Sequence, residues 1–161
     1  MTLEEFNSSS ETALRKDLLQ VCHSEQWVTQ VLKARPFATL KALKEQCSKV
    51  WKDLTPNDWL EAFAAHPAIG EKGEGFSQEE QKAALTQDEK VQQALREANL
   101  AYQKKFGHVF LICASGLPAT TILEELHRRL PRSPKEELNQ AMEEQDKITH
   151  LRLEKWIHVK A

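Results

Sequence analysis

The sequence predicts an all-α protein, a single compact multi-helix domain over residues 1–161. Apolar residues recur at i, i+3 and i+4 spacing through most of the chain. Helix-start signals precede nearly every such stretch. Only one short apolar run could be a strand, and it has no partner to satisfy its backbone. At 161 residues the chain is long enough for one sizeable core.

Taken in order, Thr2-x-x-Glu5 is a capping box opening a short helix with Leu3 and Phe6. Ser8-Ser9-Ser10 interrupts it, and Ser10 caps a second helix carrying Leu14, Leu18 and Val21. Ser24 caps a third with Trp27, Val28, Val31 and Leu32, closed by Arg35-Pro36. A fourth starts near Ala38 and aligns Leu40, Leu43, Cys47, Val50 and Leu54. Thr55-Pro56 sets a cap before proline at the first helical position, opening a fifth through Trp59, Leu60 and Phe63. That helix ends at His66, because the ring of Pro67 disfavours α backbone before it.

Thr86 or Asp88 caps a long helix through Val91, Leu95, Ala98 and Tyr102, ended by Phe106-Gly107. The apolar run from Val109 to Ala114 reads as buried helix or as extended backbone against helices. Pro118 begins a helix through Ile122, Leu123 and Leu126 to Leu130. Ser133-Pro134, with Glu136 at the capping-box position, opens the last, through Leu138, Met142, Ile148, Leu151, Leu153 and Trp156.

Charged residues make up 29% and hydrophobic ones 40%, and the net charge of −2 provides no basic field for nucleic acid or anionic lipid. Lys104-Lys105 and His127-Arg128-Arg129 read as solvated helix ends. No stretch resembles a signal peptide or a membrane span, and Val159-Lys160-Ala161 is no peroxisomal address, so the expected location is cytoplasmic. Cys22, Cys47 and Cys113 lack the spacing of a zinc site or disulfide framework and read as buried small hydrophobes; no metal is expected.

The chain is organised around Ala65–Leu85, which holds three of its five glycines. His66 stands at one helix end; after a glycine-rich loop, Ser77-x-x-Glu80 restarts a helix as a capping box. An imidazole near a carboxylate suits proton transfer near neutral pH. The same residues also suit plain helix capping, and spacing leaves both readings open.

Four separated motifs, in order, resemble the ureidoimidazoline decarboxylases of purine breakdown. His66-Pro67-Ala68-Ile69-Gly70 is similar to that family's His-Pro segment, and Ser77-Gln78-Glu79-Glu80-Gln81-Lys82-Ala83-Ala84-Leu85 to its Ser-x-x-Glu-Gln-x-x-Ala-Gly-Leu signature. Phe106-Gly107-His108-Val109-Phe110 resembles its Phe-Gly-Phe-x-Phe segment, and Lys147-Ile148-x-x-Leu151-Arg152-Leu153 its C-terminal motif. Here Ala84 replaces a glycine, His108 an aromatic residue, and Ser115 a frequent arginine, and the 66–77 loop is shorter than in many relatives.

The resemblance implies a cofactor-free, α-helical homodimer that acts on a small molecule, 2-oxo-4-hydroxy-4-carboxy-5-ureidoimidazoline, yielding (S)-allantoin and carbon dioxide. It implies His66 as proton donor and Glu80 as its catalytic partner. It places Pro67, Ser77, Gln78, Glu79, Glu80 and Gln81 in contact with substrate, with Phe110, Leu111, Ile112, Cys113 and Ala114 as backbone groups and lining. Arg152 would bind an anionic group. The residues alone also admit Phe110–Ala114 as plain core and Arg152 as a surface ion-pair partner of Glu144 or Asp146.

Two rival functions differ in class. A metal-dependent hydrolase would use His66, Glu80 and one of His108 or His150, but no His-x-x-x-His spacing supports it. A helical binding module would expose its tryptophans, whereas Trp27 and Trp59 fall on predicted core stripes.

Overall fold

The computed structural model describes residues 1–71 and 75–158. Lys72-Gly73-Glu74 of the glycine-rich loop and the C-terminal Val159-Lys160-Ala161 lie outside the described residues. Among those described no strand forms, as an all-α class requires. They divide into two compact units: residues 1–62 with the end of the chain from Asp146, and residues 63–145. No helix among them is long and apolar enough to cross a membrane.

The first unit starts with α1 (Leu3–Ser8), α2 (Glu11–Val21), α3 (Glu25–Lys33) and α4 (Leu40–Asp53). The hydroxyls of Thr2, Ser10 and Ser24 accept the orphan N–H groups of Glu5, Ala13 and Trp27. α4 begins later than expected, because Thr39 rather than a neighbour of Ala38 supplies the cap, accepting from Ala42 N at 3.0 Å. Phe6, Leu14, Leu18, Trp27, Val31, Leu43, Cys47 and Trp51 fill the core. The buried indole of Trp27 donates to Cys47 O at 3.2 Å, satisfying its one polar group.

α5 (Pro56–Phe63) is opened by Thr55 and Asp58, whose side chains bond each other's backbone N–H. Trp59 is only half-buried, with its Nε1 donating to Trp51 O at 2.9 Å. The helix stops at Phe63, and a turn with His66 N donating to Phe63 O carries the chain to Pro67.

In the second unit, α6 (Phe76–Glu80) leads through a 3₁₀ turn (Lys82–Ala84) to α7 (Glu89–Phe106), and α8 (Ala119–Arg129) precedes α9 (Pro134–Trp156), whose residues from Asp146 onward belong to the first unit. α6 starts earlier than the Ser77 capping box predicts. Gly75 occupies the N-cap with φ +56°, a conformation that costs glycine nothing, so Ser77 falls inside the first turn. Asp88, not Thr86, caps α7, and Gly107 ends it in the left-handed region. Residues 109–114 form neither helix nor strand. Ile69, Leu95, Tyr102, Phe110, Ile122 and Leu126 form the core of this unit.

Two further expectations fail. Arg129 is no solvated helix end: it is fully buried, with Nε 2.7 Å from Glu137 Oε1. A guanidinium tolerates burial only when paired and hydrogen-bonded, and α9 provides the carboxylate. Cys113 is half-exposed, unlike Cys22 and Cys47.

Candidate active site

His66 lies just past α5, and its ring is held from α9: Nε2 is 2.6 Å from Gln145 Oε1. An amide oxygen only accepts, so Nε2 is the protonated nitrogen. The turn that follows is tied down at two points. Asn99 Nδ2 donates to Ile69 O at 3.1 Å, and Gly70 N donates to Gln81 Oε1 at 3.3 Å. Gly70 itself has φ +94°, which a side chain would strain. Gln81 therefore couples the His-Pro turn to the helix that carries Glu80.

Glu80 and Gln81 are each only 8% exposed, which sets them apart from their neighbours. Gln78 and Glu79 face solvent, while Pro67 and Ser77 are half-buried. A buried glutamate is uncommon among structural residues, because its charge must be stabilised by partners.

The 109–114 segment is held by two charged side chains. Arg129 Nη1 donates to Leu111 O at 2.8 Å, and Cys113 N donates to Glu144 Oε1 at 3.0 Å. Phe110, Leu111, Ile112 and Ala114 are buried, with the Arg129 guanidinium 4.5 Å from the Phe110 ring centroid. Tyr102 donates to Glu137 Oε1 at 2.6 Å, and burial together with that carboxylate pushes its phenol upward in pKa. Glu144 and Gln145 are adjacent on α9, so a single turn of helix fixes both the Cys113 backbone and the His66 ring.

His108 replaces an aromatic residue and keeps an aromatic role. Its ring lies 5.6 Å from Phe63 and 5.7 Å from Tyr102, and Nδ1 donates to Val109 O at 3.1 Å. His150, in the first unit, sits with Nε2 2.6 Å from Ser48 Oγ, whose hydroxyl lies 2.9 Å from Asp146 Oδ1. Here the serine donates to the carboxylate and accepts from the imidazole, the reverse of an activated nucleophile. Among the described residues no three His, Cys, Asp or Glu side chains gather as a metal would require.

Arg152 belongs to the first unit and is 6% exposed, not a surface residue. Its Nη1 donates to Gln20 O at 3.1 Å and Val21 O at 3.2 Å, orphan carbonyls in the last turn of α2.

Sequence reasoning missed Gln145, Glu144 and Arg129. A signal for the first two existed: Glu137, Ala141, Glu144, Gln145, Ile148 and Arg152 follow i, i+3, i+4 spacing, and all are buried. Polar residues on such a stripe mark buried hydrogen-bonding positions. The charged run Glu143-Glu144-Gln145-Asp146-Lys147 conceals it, because such residues are mostly found exposed.

A family model described as OHCU decarboxylase matches residues 7–154. The chain is 35% identical over 149 residues to the uric acid degradation bifunctional protein TTL of Arabidopsis thaliana, covering 87% of this chain and 46% of that protein. It is 28% identical over 159 residues to the 2-oxo-4-hydroxy-4-carboxy-5-ureidoimidazoline decarboxylase of Halalkalicoccus jeotgali, covering 96% and 90%. The like-named Xenopus laevis enzyme is 42% identical over 127 residues, covering 74% and 73%. The chain thus spans less than half the length of the bifunctional plant relative. A crystal structure of an OHCU decarboxylase in the presence of (S)-allantoin superposes with a TM-score of 0.81 at 34% identity, covering 92% of this chain and 98% of that one.

Proposed function

Because the chain belongs to the OHCU decarboxylase family, we propose that it is a cofactor-free carboxy-lyase of uric acid degradation. It converts 2-oxo-4-hydroxy-4-carboxy-5-ureidoimidazoline to (S)-allantoin and carbon dioxide. The observation that carries this reading is the turn of α9 at Glu144-Gln145, which holds both the His66 ring and the backbone of Cys113. It gives a proton-carrying group and a largely apolar, backbone-rich lining a common anchor.

The substrate is its own electron sink. When the carbon–carboxylate bond breaks, the electron pair flows into unsaturation already in the ring system, and carbon dioxide leaves. The resulting enol-type species needs one proton on one face of the carbon that becomes the stereocentre. The protein must position the ring, stabilise developing charge and deliver that proton. His66 is the donor, and Glu80 orients the imidazole or a substrate N–H. Pro67, Ser77, Gln78, Glu79 and Gln81 contact the substrate from the His-Pro turn and α6. Phe110, Leu111, Ile112, Cys113 and Ala114 contribute lining and backbone groups, and Arg152 binds an oxygen that gains charge. The family resemblance supports a homodimer and a single domain over residues 1–161, and the sequence, in which no targeting signal is recognised, is read as cytoplasmic.

The test generates the ureidoimidazoline in situ and follows the optical activity of the allantoin formed. Wild-type protein is expected to yield (S)-allantoin faster than spontaneous decay. His66→Asn is expected to lose at least ~10²-fold in turnover and leave racemic product. A fully folded His66→Asn variant with near-normal turnover removes His66 from the chemistry.

A further inference from the structure

The α9 turn that holds the His66 ring does so through one side-chain atom, Gln145 Oε1, and that atom defines which nitrogen of the ring carries the proton. We propose that Gln145 is a positioning residue: by accepting from Nε2 it locks the tautomer and ring orientation of His66. Nδ1 is then the nitrogen left to the substrate: it takes up a proton from solvent, delivers it to the carbon that becomes the stereocentre, and returns to the neutral Nε2–H form. The inference rests on the proposed decarboxylase reading, and deepens it.

The geometry carries this in three steps. First, the distance of 2.6 Å from His66 Nε2 to Gln145 Oε1 is a short, direct hydrogen bond. Second, Gln145 is fully buried while His66 is half-buried, so the acceptor is the fixed partner and the ring is the group held. Water has little access to replace the amide, and a buried amide oxygen left unpaired carries a desolvation penalty. Third, Gln145 neighbours Glu144, itself bonded to Cys113 N and to Gln140 Nε2. The helical turn that bears the acceptor is therefore tied down on a second face.

An imidazole has two nitrogens, and a general acid on an asymmetric substrate must present the correct one. A glutamine acceptor fixes that choice without adding charge. A carboxylate there would fix the same tautomer and also favour the imidazolium.

The experiment pairs ¹⁵N NMR of the histidine side chains with kinetics on in-situ substrate, for wild type, Gln145→Met and Gln145→Glu. Methionine keeps length and volume but accepts poorly; glutamate keeps the acceptor. His66 is expected to resonate as the Nε2–H form in wild type. Gln145→Met is expected to give a tautomer mixture, and Gln145→Glu to keep Nε2 protonated. In Gln145→Met, kcat is expected to fall by up to about 10²-fold, the scale of a mispositioned catalytic group, with KM little changed. A structural role alone would lower the melting temperature while leaving the tautomer signal and kcat in place below it.

An Nδ1–H tautomer in wild type overturns the proposal, as does a folded Gln145→Met with wild-type kcat. Should Gln145→Met fail to fold, Gln145→Glu decides: loss of Nε2 protonation there overturns it. Wild-type protein that never accelerates decarboxylation defeats the decarboxylase reading itself. Active wild type with an indifferent Gln145→Met defeats only this inference.

Discussion

Arg129→Met tests whether the Phe110–Ala114 segment is placed by a buried charge. Arg129 is fully buried and makes two short contacts, to Glu137 Oε1 at 2.7 Å and to Leu111 O at 2.8 Å. Removing the guanidinium leaves the fully buried Glu137 carboxylate with Tyr102 and with Arg132, whose Nη1 lies 3.1 Å from Oε2. Breaking a buried pair by deleting one partner typically costs about 3–5 kcal/mol. Arg132 is partly exposed, so it offsets some of this, and the lower end is expected. Even about 3 kcal/mol is a large share of a typical stability of roughly 5–15 kcal/mol. Replacing both partners, Arg129→Met with Glu137→Leu, removes the stranded charge and is expected to recover most of the loss. The Leu111 carbonyl and the Tyr102 hydroxyl stay without those partners, at about 1–3 kcal/mol for each group left buried and unsatisfied. Urea unfolding of the three proteins at matched m-values reads the energies. Turnover of in-situ substrate reads the segment, and activity is expected to stay low in the double variant, because Leu111 O remains unanchored. A cost below about 1 kcal/mol for Arg129→Met would refute the buried-pair account. Full activity in the double variant would refute the anchoring role.

The other predictions follow from single groups. Glu80→Gln, which keeps shape and removes charge, is expected to lose about 1.5–3 kcal/mol of interaction, or roughly 10- to 100-fold in kcat; unchanged kinetics with a lower melting temperature would make Glu80 a structural residue. Arg152→Met frees the carbonyls of Gln20 and Val21, and about 3 kcal/mol or more of stability should go with the charge-assisted bonds; a wild-type urea midpoint would contradict that. Burial raises the Cys22 and Cys47 thiols above their ordinary 9.0. Below that value both folded and unfolded thiols hold their protons, so no dependence arises; above it the unfolded chain releases protons that the folded chain keeps. Stability should therefore fall above about pH 9, by up to ~1.4 kcal/mol per pH unit per thiol. The slope should shrink in the Cys22→Ala, Cys47→Ala variant, and an unchanged slope between pH 8 and 10 would contradict the assignment.

The helix framework was legible because its determinants are local. Thr2, Ser10, Ser24 and Ser133 each cap the helix they precede, and Gly107 takes the left-handed conformation that ends α7. Such bonds span three or four residues, within reach of a spacing argument. Where a local signal failed, a competing local feature won: Gly75 began α6 before Ser77 could cap it.

The candidate site is legible only in part, and the division follows sequence separation. His66 and Glu80 stand out because a proline and a glycine-rich loop isolate them. The groups that hold the site come from far along the chain: Gln145 from 79 positions beyond His66, Glu144 from 31 beyond Cys113, Arg129 from 18 beyond Leu111. Each is a polar residue whose burial depends on helices meeting in space, and composition makes Arg129 and Glu144 look like solvent-facing charges. What betrays the α9 residues is position rather than type. Ala141, Ile148 and Leu153 are buried, and Glu137, Glu144, Gln145 and Arg152 share their periodicity. A polar residue at a core position must find a partner or destabilise the fold. Reading such a stripe for what it must hydrogen-bond, rather than for what it must exclude, is how the anchors of a site become visible before its geometry is known.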